Sequence, residues 1–147
     1  MSLPKTELGS QPFDSGCNAG EITRDAFLDG RFTACQPKSG PRAAIDALFL
    51  AAAVPAIAGK KQRVLEAGAG SGVASLALCA RVADLHVTGL EIQSALVEMA
   101  RENAALNAMR DRLQFVEADL TSPWSTLECA GLNRESFDHV ADLPPRD

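Results

Sequence analysis

The chain has 147 residues, which at roughly 150 residues per domain sets an expectation of one domain. Apolar residues make up 46% and charged residues 22%, a globular balance that excludes wholesale disorder. A net charge of −5 argues against a nucleic-acid binder that relies on an overall basic surface and leaves room only for a local basic face.

In chain order, residues 1–21 are rich in Gly, Pro, Ser and Asn without periodicity and read as a flexible extension ahead of a domain spanning 22–147. No apolar run there is long enough for a signal peptide. Asp29-Gly30, between two short apolar-aromatic runs, predicts a β-hairpin. From Arg42 to about Val54, Ile45, Leu48, Phe49 and Ala52 recur at helical spacing, and Pro55 ends that helix. Ala43 to Ala58 is the most hydrophobic stretch, but Asp46 and Pro55 interrupt it and it is shorter than the roughly 20 residues of a membrane span.

The rhythm then changes. A strand over Arg63–Glu66 runs into AGAGSG and a helix over about Gly72–Val82. A second strand, Leu85–Glu91, precedes a helix over Ser94–Asn107 with Leu96, Val97, Ala100, Ala104 and Leu106 turned inward. Leu113–Glu117 is a third strand, Trp124–Cys129 a helical turn, and Phe137–Ala141 a fourth strand. Alternating strands and helices imply an α/β fold with a parallel sheet flanked by helices. Trp124, Phe115 and His86 read as core residues.

Cys17, Cys35, Cys79 and Cys129 lie 18, 44 and 50 residues apart, with no C-x-x-C pair, and His86 and His139 are distant from each other. That spacing excludes a sequence-local zinc site and fits reduced thiols in a cytoplasmic chain with no metal.

The sharpest chemistry is in VLEAGAGSGVASLAL. Gly68, Gly70 and Gly72 sit where a strand turns into a helix, so the backbone can turn tightly, approach a ligand and present helix-start N–H groups to it. Glu91 ends the next strand 19 residues after Gly72, where an acid can accept hydrogen bonds from both hydroxyls of a ribose. The spacing is G-x-G-x-G, with Val73 where a dinucleotide fingerprint carries its third glycine, and Glu66 would repel a pyrophosphate. An adenosine ligand with an ammonium-bearing tail, S-adenosyl-L-methionine, satisfies all of these.

Glu66 to Gly72, E-A-G-A-G-S-G, resembles the first motif of class I methyltransferases, a Rossmann-like fold, and Glu91 stands at their ribose-binding acid. Asp119 in VEADL resembles the acid that reads the adenine amino group in those enzymes; as a plain loop aspartate it would cap the turn before Pro123. Thr23 to Ala53, TRDAFLDGRFTACQPKSGPRAAIDALFLAAA, resembles the entry region of the bacterial tRNA (adenine-N6) methyltransferases that act beside the valine tRNA anticodon. The resemblance implies tRNA as partner and Gln36 and Asp46 at the ligand mouth; on their own these two read as plain surface polar residues. Arg24, Arg31, Lys38 and Arg42 could meet tRNA phosphates or form a solvated face.

That family carries N-P-P-[F/Y] after the fourth strand. Here Asp142, Leu143, Pro144 and Pro145 occupy the region, with Leu143 in the Asn place and Arg146 in the aromatic place. In the family the Asn oxygen accepts a hydrogen bond from the exocyclic amine and the ring stacks the flipped base. Asp142 is an acceptor one residue early. The class has a seven-stranded sheet and only four strands are legible, so the expectation is a sheet truncated after its fourth strand, with a homodimer through the unpaired edge. The expected function is N6-methylation of adenine in tRNA. The alternatives are an inactive or truncated cofactor-binding module and a protein glutamine N-methyltransferase.

Overall fold

The computed structural model describes residues 21–40 and 42–143. Of the expectations above, those for residues 1–20, Pro144, Pro145 and Arg146 lie outside the described residues.

The chain begins with the hairpin. β1 (Ile22–Phe27) pairs antiparallel with β2 (Phe32–Pro37), and the Phe27 and Phe32 rings stack with centroids 5.1 Å apart. The turn is wider than the two residues Asp29-Gly30 suggest. Leu28, Asp29 and Gly30 all take positive φ, and the Gly30 and Arg31 N–H groups donate back to the Phe27 and Leu28 carbonyls. α1 (Ile45–Ala53) follows. Its buried face is Ala47 and Ala51, with Leu48 half-buried against the same core as expected, whereas Ile45 and Phe49 are 65% and 64% exposed, contrary to the stripe expected from the sequence. The reason is the small size of the two alanines, which lets α1 lie close to its neighbours. Ile45, Phe49 and Ala52 are left facing outward.

β3 (Gln62–Ala67), α2 (Val73–Arg81), β4 (Leu85–Glu91), α3 (Ser94–Leu106) and β5 (Leu113–Glu117) then alternate, followed by the short α4 (Trp124–Cys129) and β6 (His139–Asp142). The four strands β5-β4-β3-β6 form one parallel sheet in that order. The chain steps outward from β3 to β5 and then returns to the other side of β3. The reversal of direction lies between β3 and β6, the place where open parallel sheets leave a crevice beyond their strand ends.

Strand alternation assigns the two faces. Val64, Val87, Leu113, Phe115 and Ala141 face a core shared with the hairpin, α1, α2 and α3. Leu65, Leu90 and Val116 face a smaller cluster built on Leu127, Leu132, Trp124 and Phe137. This second cover is thin. His86 is therefore exposed rather than in the core, and Trp124 is only half-buried, with its indole N–H donating to Glu128 at 2.5 Å. Leu106, expected inside, is 42% exposed because it sits at the end of α3, past the last turn that packs on the sheet. β6 borders β3 alone among the described residues, and its Val140 is 69% exposed.

Phe115 lies directly beneath the strand-to-helix turn. A Cβ added at Gly72, which has φ +86, would come within 2.7 Å of the Phe115 ring. Gly72→Ala is therefore expected to cost on the order of 2–4 kcal/mol, combining left-handed strain with overpacking. Chemical denaturation reads this directly: a loss of only about 1–2 kcal/mol would mean the ring moves aside and strain alone remains, and an unchanged midpoint would overturn the expectation.

Candidate functional site

Four strand ends meet on one edge of the sheet. Ala67 of β3 is level with Leu90 of β4 and with Asp142 of β6, while Glu91 of β4 is level with Glu117 of β5, two residues before Asp119. Glu66, Glu91, Asp119 and Asp142 thus gather around the Gly68–Gly72 turn, making this edge acidic. Acids in such density favour a cationic ligand over a phosphate.

The turn is held by its neighbours. Gly68, Gly70 and Gly72 take φ of 68°, 57° and 86°, a left-handed backbone that favours glycine. The Ala69 N–H donates to the Leu90 carbonyl at 2.8 Å, the Gly70 N–H to the Glu91 carboxylate at 2.9 Å and the Gly72 N–H to the Ala69 carbonyl at 2.9 Å. Added Cβ atoms at Gly68 and Gly70 would meet nothing within 4 Å. The glycines there are required by conformation, and the space beside them is open.

Glu91 is largely buried. Its second oxygen accepts from the Gln93 N–H at 3.0 Å, so each oxygen holds one bond and keeps acceptor capacity. Asp119 uses Oδ1 for both the backbone N–H and the hydroxyl of Thr121, at 2.8 and 2.7 Å. These bonds hold its carboxyl below the ordinary value and close the turn before Pro123. Both readings of Asp119 remain compatible with that geometry, since capping engages only one oxygen.

Glu66 is the unusual acid. It is 3% exposed at the end of β3 and accepts a hydrogen bond from the Ser75 hydroxyl in the first turn of α2. Burial pushes its carboxyl up to about 7, against the bonds from Ser75, and the charge of Glu91 raises it further. A buried acid whose pKa is raised by desolvation ionises more readily when a cation arrives beside it.

Several residues here belong to no sequence motif: Ser75, and Asn103, a fully buried amide on the packed face of α3. The signal available was a polar residue at a core-spaced helical position. Ile92 and Leu120 directly follow Glu91 and Asp119 and are 61% and 48% exposed, leaving apolar side chains next to two acids. Gln36 is not a surface residue. It is 2% exposed, donates to Asp25 at 3.1 Å and accepts from the Ala43 N–H at 2.8 Å, because the hairpin and the start of α1 close over it. Arg42 bonds Thr23, Asp25 and the Pro37 carbonyl within the same junction. Burial raises the pKa of Cys35 and pushes Cys79 up to about 11, so neither thiol is activated. Among the described residues no group of His, Cys, Asp or Glu could hold a metal, and no helix is long and apolar enough to cross a membrane.

A parallel sheet with a glycine turn and strand-end acids at its switch point defines a Rossmann-like fold, the fold of S-adenosylmethionine-dependent methyltransferases. Residues 64–143 match the methyltransferase domain family, and the chain belongs to it. It is similar to the tRNA1(Val) (adenine(37)-N6)-methyltransferase of Klebsiella pneumoniae, 34% identical over 100 residues, covering 67% of this chain and 40% of that protein. A structure of a predicted O-methyltransferase from Agrobacterium tumefaciens superposes with a TM-score of 0.60 at 35% identity, covering 67% of this chain and 48% of that one. A methyltransferase from Thiobacillus denitrificans, solved with S-adenosyl-L-homocysteine, shares the fold at TM-score 0.54 and 22% identity, covering 69% of this chain and 37% of that one. The chain spans less than half the length of each of these three proteins.

The raised Glu66 fixes the sign of a pH effect. Its folded value of about 7 lies above the ordinary 4.5, so the native state holds the proton more tightly. Its contribution to stability is present below 4.5 and is lost as pH rises through about 7. Urea denaturation of the native chain and Glu66→Gln over that range should show the native chain losing stability relative to the variant. A constant difference would mean Glu66 is ionised throughout.

Proposed function

We propose that the chain uses S-adenosyl-L-methionine to methylate the exocyclic N6 of an adenine in tRNA, with Glu66, Gly68, Gly70, Gly72, Glu91 and Asp119 holding the cofactor. The observation that carries the cofactor assignment is the Glu66 carboxyl, buried at the end of β3 beside an open left-handed glycine turn. That carboxyl, once ionised, fits an ammonium group and opposes a pyrophosphate. The tRNA assignment is supported by the Thr23–Ala53 segment and by the relative from Klebsiella pneumoniae.

Each residue has a physical task. Glu91 has acceptor capacity left for two ribose hydroxyls after serving Gly70 and Gln93. Ile92 and Leu120 offer exposed apolar surface to a flat purine, and the second oxygen of Asp119 can accept from its amine. Ionised Glu66 pairs with the ammonium. The bound cofactor supplies an electrophilic methyl group. The chain must then orient the adenine amine in line with it and accept hydrogen bonds as positive charge grows on nitrogen. Asp142, level with Ala67 at the start of the glycine turn, is the acceptor available, while Leu143 has no acceptor in its side chain. Pro144 and Pro145 complete the proposed methyl-transfer end.

Leu143 favours a second reading, a module that binds cofactor and transfers methyl groups poorly. The two readings share the binding site and part at the reaction.

Calorimetric titration should show S-adenosyl-L-homocysteine binding in preference to NAD, and Glu91→Ala should weaken it by about 1.5–3 kcal/mol through lost charge-assisted hydrogen bonds. Tighter NAD binding would overturn the cofactor assignment.

Transfer of labelled methyl to unmodified tRNA tests the chemistry. The chain is expected to be slow, and Leu143→Asn to raise the rate by up to about 10²–10³, the usual worth of a preorganised hydrogen-bonding group at a transition state. Label appearing on a base other than adenine would overturn the substrate assignment. Robust turnover that Leu143→Asn leaves unchanged would show that Asp142 already serves as the acceptor.

A further inference from the structure

α3 and β2 are joined by side chains that imitate a strand. Asn103 accepts from the Cys35 N–H at 2.7 Å and donates to the Cys35 carbonyl at 2.9 Å. One turn later Asn107 accepts from the Thr33 N–H at 2.9 Å and donates to the Thr33 carbonyl at 2.7 Å. The match follows from geometry. Four helical residues rise about 6.0 Å, and two strand residues about 6.7 Å, so amides four apart on a helix meet alternate residues of a strand edge. The edge of β2 that faces away from β1 is thereby paired without another strand.

The two asparagines differ in one respect. The Asn103 amide also donates to the Ser71 carbonyl, at 2.9 Å, inside the Gly68–Gly72 turn, whereas the remaining Asn107 bond goes to the Asn103 carbonyl in α3 itself. Asn103 is 1% exposed, and its bonds to Cys35 and Ser71 engage its oxygen and its NH2 group. Ser71 lies between Gly70, whose N–H meets Glu91, and Gly72, whose N–H meets Ala69. The Ser71 carbonyl is therefore the point at which α3 grips the turn.

We propose that Asn103 is a positioning residue for cofactor binding: one buried amide seats the β1–β2 hairpin and fixes the peptide orientation of the glycine turn, so that the turn is already ordered before ligand arrives. Such preorganisation lowers the cost of binding without any contact to the ligand. The inference rests on the proposal that this turn holds S-adenosyl-L-methionine. Asn107 provides an internal control, since it seats the same hairpin without touching the turn.

Two measurements on the full chain separate the inference from the reading beneath it. Amide hydrogen exchange on the ligand-free chain should show faster exchange at Ala69, Gly70 and Gly72 in Asn103→Ala, but only at Thr33 and its neighbours in Asn107→Ala. Titration with S-adenosyl-L-homocysteine should show Asn103→Ala raising Kd about tenfold, as expected for one lost hydrogen bond that orders the site, and Asn107→Ala leaving Kd within about twofold. If Asn103→Ala fails to fold, Asn103→Ser, whose hydroxyl is polar but too short to replace the carboxamide's bonds, carries the same expectations. Equal effects of the two asparagines on Kd would reduce Asn103 to a hairpin clamp and overturn the inference. So would an unchanged exchange rate in the turn. A native chain that binds no S-adenosyl-L-homocysteine would instead overturn the cofactor assignment and take the inference with it.

Discussion

A backbone that turns left-handed at Gly68, Gly70 and Gly72 leaves the regular hydrogen-bond ladders, and its buried polar groups need partners from elsewhere. The surrounding elements supply them. β4 contributes the Leu90 carbonyl and the Glu91 carboxylate, and α3 contributes the Asn103 amide. Through Asn103 the same support reaches the hairpin, which lies outside the segment matched by the methyltransferase domain family. The turn thus dictates which end of the sheet carries function, and why α3 accepts a buried amide, Asn103, on its packed surface.

Much of this was legible in the sequence because periodicity and punctuation agreed. Leu85–Glu91 and Leu113–Glu117 have the same bounds in sequence and structure, and the glycine turn lies between β3 and α2 as its spacing predicts. The helix α1 and its end before Pro55 were legible, but its inward face was not, because hydrophobic spacing alone prefers Ile45 and Phe49, whereas packing chose the alanines. His86 failed for a different reason. Its strand is parallel and central, which suggests cover on both faces, but the short α4 covers only part of one. Glu66 was legible as an acid before a glycine turn, yet its raised pKa depends on depth of burial and on the nearby Glu91, against the bonds from Ser75, which only the folded chain reveals.

Charge near the hairpin is more inward than its composition suggests. Arg42 has an acid, a hydroxyl and a carbonyl as partners, and Asp25 is shared between Arg42 and Gln36. This network joins β1, β2 and the start of α1. It takes Arg42 out of the set of cations free to meet a polyanion and leaves Arg24, Arg31 and Lys38 as the exposed members. The same network explains why Gln36 is buried at no cost in unpaired polar atoms.

The Phe115 ring also touches two glycines that are far apart in sequence. A Cβ at Gly89 would lie 2.6 Å from the ring and 2.8 Å from the Cβ of Ala69, much as one at Gly72 would strike the ring from the turn side. Sequence drift at these positions is therefore unequal. A lineage that first shrank the residue at 115 would ease the ring's clash at 89, though Ala69 would still crowd a new side chain there. Position 72 would remain closed to it, since its left-handed φ is independent of the ring. The order in which substitutions can accumulate is written into the packing under the turn, and Gly72 stands at the end of every such path.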